Sequence, residues 1–195
     1  MKNRNKLILF FSVIALSVIA DQLTKNIAVK ALENKGFVKV IGDFFGFELV
    51  RNPGAFLGLF SANRWLFMMP SAAAIVFLTV WLFKKTKAGP LFCVSISLFV
   101  GGGIGNMIDR LSLGKVIDFI AFRFGAWRFP NFNVADSCVT VGAALFLIYC
   151  LITDDKELFS FGSKKKKSDP DEGEPDGPEP ENSEGDVSEA AGENK

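Results

Sequence analysis

Four apolar segments constrain the fold of this chain more than any other feature of its 195 residues. They lie at residues 7–20, 65–83, 91–108 and 138–152. A helix needs about 20 residues to cross the hydrocarbon core of a bilayer. The middle two segments are long enough alone, and the outer two become long enough when their polar neighbours are included. The pattern predicts an α-helical integral membrane protein with four transmembrane helices.

The first segment allows two interpretations. Three basic residues, Lys2, Arg4 and Lys6, precede a short apolar run that ends at Ala20, which is typical of a cleavable export signal. The first helix of a multi-pass membrane protein has the same flanks. Because three more apolar segments follow, we favour a transmembrane helix.

The placement of Lys and Arg predicts the topology. Basic clusters at residues 2–6, 84–87 and 164–167 fall on one side of the membrane if all four segments cross it. The positive-inside rule makes that side cytoplasmic. Both termini are then cytoplasmic, and the connections at roughly 26–64 and 109–136 face outward.

Composition divides the chain into an apolar body and an acidic tail. Hydrophobic residues make up 49% of the sequence. Residues 163–195 hold five Lys and eleven Asp or Glu, a net charge of −6, whereas the preceding residues carry +7. We therefore predict a membrane domain over residues 1–162 and a disordered, solvated cytoplasmic tail over 163–195 that has no catalytic role.

The two outward connections carry their own patterns. Residues 36–50 combine β-type residues, partial alternation and glycines, which predicts a small extracytoplasmic hairpin or sheet. Residues 120–132 interleave aromatic rings with Arg, which suits the depth of lipid headgroups. Ordinary loops packed on the bundle are the alternative interpretation of both patterns.

The chain contains no histidine. This excludes a Ser–His–Asp triad, a Cys–His pair and a His-ligated zinc site. The three cysteines lie in apolar runs without CxxC spacing, so we interpret them as small buried residues rather than metal ligands or disulfide partners. Any acid–base chemistry must therefore come from carboxylates, Lys, Tyr or Cys.

Polar residues gather at the predicted outer boundary of the membrane. The set comprises Asp21, Asn52, Asn106, Asp109, Asp118, Asn133 and Asp136. Each one alone fits a structural role, such as helix capping by Asp136 or an ion pair between Asp109 and Arg110. Four Asp and three Asn on one membrane face nevertheless exceed what four helix ends require.

Such a cluster has a chemical interpretation. Two carboxylates held close together cannot both ionise cheaply, so they share one proton. The ionised member can take a proton from water while the protonated member polarises a carbonyl oxygen. This pair could hydrolyse an amide without histidine or metal. Spacing alone does not tell which two aspartates form it.

Five motifs carry a resemblance to a known family. They are DQLTK (21–25), RNPGAF (51–56), GGGIGNMIDR (101–110), VIDF (116–119) and FNVADS (132–137). In this order, over roughly residues 7–152, the chain resembles the lipoprotein signal peptidases, which are the type II signal peptidases of bacteria and are integral-membrane aspartic proteases.

The resemblance implies four transmembrane helices with both termini cytoplasmic, a small extracytoplasmic β-rich cradle and a periplasmic loop or helix. It implies a multi-pass protein of the bacterial inner membrane that cleaves prolipoproteins just before a cysteine already carrying diacylglycerol. The implied active site lies near the outer leaflet and uses neither metal nor cofactor. The expected partners are prolipoproteins and membrane lipids, without nucleic acid, and the expected state is a monomer.

The resemblance also implies roles for individual residues. The catalytic pair of the family maps onto Asp118 and Asp136. Its supporting polar residues map onto Asp21, Lys25, Asn52, Gly54, Asn106, Asp109, Arg110 and Asn133. Among these, Asp109 is expected to pair with Arg110.

Two other functions compete with proteolysis. A small transporter or channel subunit would distribute carboxylates across the membrane depth, whereas none interrupts residues 65–83, 91–105 or 138–152. A scaffold that docks a partner through its polar loops would tolerate replacement of both Asp118 and Asp136.

Three consecutive glycines at 101–103 lie within the third segment. They predict that neighbouring helix backbones approach this helix closely. Gly103 stands where the family resemblance leads us to expect Ala.

Overall fold

The computed structural model describes residues 2–54, 65–85 and 89–153. These ranges contain the helices α1 (Asn3–Leu32), α2 (Trp65–Lys84), α3 (Pro90–Ser112) and α4 (Val134–Ile152). They also contain the strands β1 (Val38–Ile41), β2 (Phe45–Asn52), β3 (Val116–Phe124) and β4 (Trp127–Arg128). The predicted domain boundary at residue 162 and the acidic tail lie outside the described residues.

Each of the four apolar segments forms a helix, as predicted. In the described ranges, α1, α3 and α4 are long and apolar enough to cross a membrane, and α2 contributes a shorter apolar stretch, Met68–Lys84. The first segment is part of a single 30-residue helix that continues past Ala20 through Asp21 and Lys25. At 1.5 Å per residue this helix is roughly 45 Å long, more than the hydrocarbon core requires.

Helix α3 is the centre of the bundle and contacts the other three helices. Half of the residues in its most apolar 18-residue stretch are buried, against 17% in the corresponding stretches of α1 and α4. A Cβ atom at Gly102 would lie 2.4 Å from the Ala135 carbonyl oxygen, and one at Gly101 would lie 2.8 Å from the Ser17 Cβ. The predicted close approach of helix backbones is therefore confirmed.

The apolar core lies in the half of the bundle away from the strands, which we call the far end. It contains Phe10, Trp81, Leu82, Phe92, Cys93, Ile96, Val100 and Tyr149. Lys6 is buried beside this core, with 1% of its surface exposed. Its Nζ donates hydrogen bonds of 2.6 Å to the carbonyl oxygens of Leu82 and Lys85. Lys6, one of the basic residues on which the predicted topology depends, thus also caps the C-terminus of α2.

The strands form one antiparallel sheet at the opposite end of the bundle, which we call the sheet end. The strand order is β1-β2-β3-β4. Strands β1 and β2 form the hairpin predicted for residues 36–50. The sheet packs on the last turns of α1 through Ala28, Leu32 and Phe119. Residues 120–132 supply the rest of β3 and all of β4, and their depth relative to lipid headgroups stays a prediction.

The periplasmic loop or helix implied by the resemblance stays a prediction. In the described parts of the two connections predicted to face outward, the elements between the helix ends are strands. Residues 55–64, which complete the first connection, lie outside the described residues.

Candidate active site

The predicted polar residues meet in one buried cluster at the sheet end. Asp21, Lys25, Asn106, Asp109, Asp118 and Asn133 are buried, and Asn52, Gly54, Arg110 and Asp136 are partly buried. They come from α1, β2, α3, β3 and α4 and the residues next to them. The set extends over more than 100 positions, from Asp21 to Asp136, so only the tertiary fold brings all of its members together.

Asp118 lies on β3, opposite Val50 of β2, and only 2% of its surface is exposed. Its Oδ2 accepts a hydrogen bond of 3.0 Å from Asn52 Nδ2, and its Oδ1 accepts one of 2.8 Å from Asn133 Nδ2. The amide of Asn52 is held by the Gly54 N–H, which donates to Asn52 Oδ1 at 2.9 Å. Gly54 has a φ of +86°, a conformation that favours glycine.

The environment of Asp118 favours its protonated form. Burial raises the pKa of this carboxyl from 3.8 to about 6, and the nearby charge of Asp136 acts in the same direction. The hydrogen bonds from Asn52 and Asn133 and the charge of Lys25 oppose the increase. Asp118 therefore holds a proton much more readily than an exposed aspartate does.

Asp136 lies in the first turn of α4, where Asn133 is the N-cap residue. The two form a capping box, because the Asp136 N–H donates to Asn133 Oδ1 at 2.9 Å and the Asn133 N–H donates to Asp136 Oδ2 at 3.2 Å. The capping role considered for Asp136 is thus confirmed. Its Oδ1 also accepts a hydrogen bond of 2.8 Å from Asn106 Nδ2, so the same side chain joins the cluster.

Asn133 links the two aspartates. Its Nδ2 donates to Asp118 Oδ1, while its Oδ1 and backbone N–H bond to Asp136. The side chain is fully enclosed, with 0% of its surface exposed. One buried residue therefore contacts both aspartates and joins the two side chains in a single hydrogen-bonded cluster.

Lys25 is the buried cation of the cluster. Its Nζ lies 2.8 Å from Asp21 Oδ2, 2.9 Å from Asp109 Oδ2 and 3.0 Å from Asn106 Oδ1. The expected pairing of Asp109 with Arg110 is therefore wrong. Consecutive side chains on a helix do not face each other, and both residues belong to α3. Arg110 instead donates to the Asn106 carbonyl oxygen at 3.3 Å.

Asp21 and Gln22 tie α1 to the other helices. Asp21 Oδ1 accepts a hydrogen bond of 2.9 Å from the Ala135 N–H in the first turn of α4. Gln22 Nε2 bonds to Asp21 Oδ2 at 3.2 Å and to Asp109 Oδ1 at 3.0 Å. Sequence reasoning assigned no role to Gln22, although it stands inside the DQLTK motif that carries the resemblance.

Comparison with known proteins identifies the family to which this chain belongs. A sequence profile of the family described as signal peptidase (SPase) II matches residues 13–152. The chain belongs to the signal peptidase II family. The match includes every residue of the buried cluster.

Individual relatives agree with this family assignment. The chain is 43% identical over 142 residues to the lipoprotein signal peptidase of Paraburkholderia phymatum, an alignment covering 71% of this chain and 84% of the relative. It is 36% identical over 141 residues to that of Symbiobacterium thermophilum, covering 72% and 93%. It also resembles a bacterial membrane enzyme solved by the in meso method at 1.9 Å, with a TM-score of 0.67 and 32% identity, covering 74% of this chain and 93% of the other.

Membership of the signal peptidase II family makes this chain a bacterial membrane protease of the aspartic type that processes lipoprotein signal peptides. The family match therefore favours a protease over the transporter and the scaffold that the sequence also allowed. The described residues contain no group of three or more acidic or Cys side chains arranged to hold a metal ion. Within the cluster, Lys25 already occupies the space between Asp21 and Asp109.

Proposed function

We propose that this signal peptidase II cleaves prolipoproteins immediately before a diacylglyceryl-modified cysteine, with Asp118 and Asp136 as the catalytic pair. The observation that carries the proposal is the bridge by Asn133, which bonds to both aspartates. The remaining carboxylates of the cluster, Asp21 and Asp109, are both engaged in ion pairs with Lys25.

The surroundings of the two aspartates support different roles. Asp118 is buried, and its raised pKa of about 6 suits the member that carries the shared proton. Asp136 stands in the first turn of α4, where the helix dipole favours a negative charge, and accepts hydrogen bonds from Asn106 and Asn133. These contacts suit the ionised member, which acts as general base.

The proposed reaction proceeds in two steps. In the first, Asp136 takes a proton from a water molecule while the water oxygen bonds to the scissile carbonyl carbon, and Asp118 gives its proton to the carbonyl oxygen. In the second, the C–N bond breaks, the amine nitrogen receives the proton from Asp136, and Asp118 recovers a proton from the collapsing intermediate. The pair ends in its starting protonation state.

The bilayer supplies orientation in this scheme. Exposed apolar side chains line α1 toward the sheet end, namely Leu16, Ile19, Leu23 and Ile27. The acyl chains of a substrate beside the bundle would hold the lipidated cysteine at the depth of the pair, which reduces the entropic cost of positioning it. The basic clusters of the sequence support cytoplasmic termini and an active site near the outer leaflet. A monomeric state stays a prediction.

The test uses a synthetic lipidated prolipoprotein in detergent, with a non-lipidated copy as control. Asp118→Asn and Asp136→Asn should each lower kcat/KM at least about 1000-fold while the protein still inserts and melts cooperatively. Asp43→Asn, an exposed aspartate in the β1–β2 turn, serves as the matched control and should cleave normally. Near-normal cleavage by either dyad variant would remove that residue from the pair, and preference for the non-lipidated copy would contradict the orienting role of the acyl chains.

A further inference from the structure

The contacts of Lys25 follow a chain that leads to the catalytic pair. An ammonium group has three N–H donors, and Lys25 has three acceptors within 3.0 Å. Two are carboxylates, which neutralise its charge. The third is the Oδ1 of Asn106, a neutral amide whose other end donates to Asp136. The third contact therefore connects a buried cation to a catalytic aspartate.

We propose that Lys25 is a positioning residue that acts through Asn106, fixing its amide so that the NH2 group faces Asp136 and keeps Asp136 the ionised, proton-accepting member of the pair. This inference rests on the proposed function and deepens it. It explains why a cation lies beside the pair without a direct contact to either catalytic carboxyl among the described hydrogen bonds and ion pairs.

The geometry leaves Asn106 one favourable orientation. Lys25 can only donate, so the atom of Asn106 that faces it must be the oxygen. Asn133 Nδ2 donates to the same oxygen at 3.0 Å. If the Asn106 amide were reversed, its NH2 group would face both donors and both hydrogen bonds would be lost. Two donors on one side of the amide polarise it, and polarised chains of hydrogen bonds are stronger than isolated ones. The NH2 group that results lies 2.8 Å from Asp136 Oδ1.

The charges around the pair are those of Asp21 and Lys25 on α1, Asp109 and Arg110 on α3, and the pair itself on β3 and α4. Lys25 also acts on Asp118 through space, because its positive charge lowers the pKa of that carboxyl. Loss of Lys25 should therefore leave the Asn106 amide less firmly oriented toward Asp136 and shift the titration of Asp118 upward. A lysine that acted on Asp118 only through space would shift this titration without making the loss of kcat depend on Asn106.

A double-mutant cycle between residues 25 and 106 tests whether Lys25 acts through Asn106. Lys25→Met should lower kcat about 100-fold in the otherwise wild-type protein, but less than about threefold when Asn106→Ala is already present. The kcat/KM profile of Lys25→Met should also move to higher pH. Additive losses in kcat, or an unchanged pH profile, would overturn the inference even if both dyad variants prove inactive.

Lys6→Met is the matched control for this cycle. Lys6 is a second buried lysine of α1, but it lies at the far end and bonds only to backbone carbonyls among its described hydrogen bonds. Its replacement should leave kcat per folded molecule within about twofold and the pH profile unchanged. A comparable loss in Lys6→Met would mean that burial of a lysine on α1, rather than the contact with Asn106, matters.

A second variant covers the case in which Lys25→Met does not fold because Asp21 and Asp109 lose their cation. Lys25→Met with Asp21→Asn removes one cation and one anion, so the net charge of the buried group is unchanged. Relative to Asp21→Asn alone, the double variant should lose kcat about 100-fold, as Lys25→Met does in the wild-type protein. This loss should again nearly disappear when Asn106→Ala is present. Equal kcat in Asp21→Asn with and without Lys25→Met would overturn the proposal that Lys25 acts through Asn106.

Discussion

Two buried lysines lie near opposite ends of α1 and are compensated in different ways. Lys6 and Lys25 expose 1% and 3% of their surfaces. Lys6 donates to two backbone carbonyls at the C-terminus of α2, so neutral dipoles satisfy it. Lys25 is held by two carboxylates and by the amide of Asn106, which in turn bonds to Asp136 of the proposed catalytic pair. Burial alone therefore does not reveal the role of a charge.

The partners explain the difference. At the far end, one charge donates hydrogen bonds to carbonyl oxygens at the C-terminus of α2, which stabilises the fold. At the sheet end, several charges and amides enclose a carboxyl that is itself unfavourable to bury. We therefore expect the far end to respond to mutation in stability and the sheet end to respond in activity and pH dependence.

The largest expected effect is a pH dependence that belongs to the sheet end alone. The pKa of Asp118 is about 6 in the folded protein against 3.8 for a free aspartate, so the folded state binds the proton more tightly. The free energy of unfolding should then fall by about 3 kcal/mol as pH rises from about 4 through about 6. In Asp118→Asn this contribution should be missing. Melting temperatures of both proteins across this range measure it, and a pH-independent difference between them would contradict the assignment.

Next in size is the tight contact between α3 and Asp21. A Cβ atom at Gly105 would lie 2.6 Å from Asp21 Oδ2, which Lys25 and Gln22 hold in place. We expect Gly105→Ala to lower the free energy of unfolding by about 2 kcal/mol and to reduce cleavage. Among the described residues, an atom added at Gly103 would meet only the Ile75 side chain, at 3.1 Å. Gly103→Ala is the control, and denaturant unfolding with a cleavage assay should separate the two variants.

A smaller effect is expected at the far end. Lys6→Met leaves two carbonyl oxygens at the end of α2 without this donor, and we expect a loss of about 1 to 2 kcal/mol in the free energy of unfolding. Thermal melting measures the loss, and cleavage per folded molecule should not change. Reduced cleavage at full stability would remove the distinction between the two ends.

The smallest effect should come from a surface ion pair. Lys39 contacts Asp43 in the β1–β2 hairpin, and both side chains are largely exposed. Such pairs contribute little, because solvent screens them and ordering the side chains costs entropy. Lys39→Ala should therefore leave the melting temperature and the cleavage rate unchanged within error. A clear loss of cleavage would extend the functional region onto the hairpin.

Much of the fold followed from local patterns. Apolar runs predicted the four helices, and alternation with glycines predicted the hairpin, because each signal depends on residues close together in the chain. The family resemblance predicted the residues of the cluster, but not how they pair. Asp109 contacts Lys25, 84 positions earlier in the sequence, rather than its neighbour Arg110.

By itself, the sequence determined which segments are apolar enough to leave water and which polar residues must stay near their ends. Both depend on composition and periodicity, which the chain carries locally. Only the tertiary structure decided that one lysine caps a helix while another faces an asparagine that bonds to Asp136. A buried charge takes its role from the atoms packed around it, and those atoms come from distant parts of the chain.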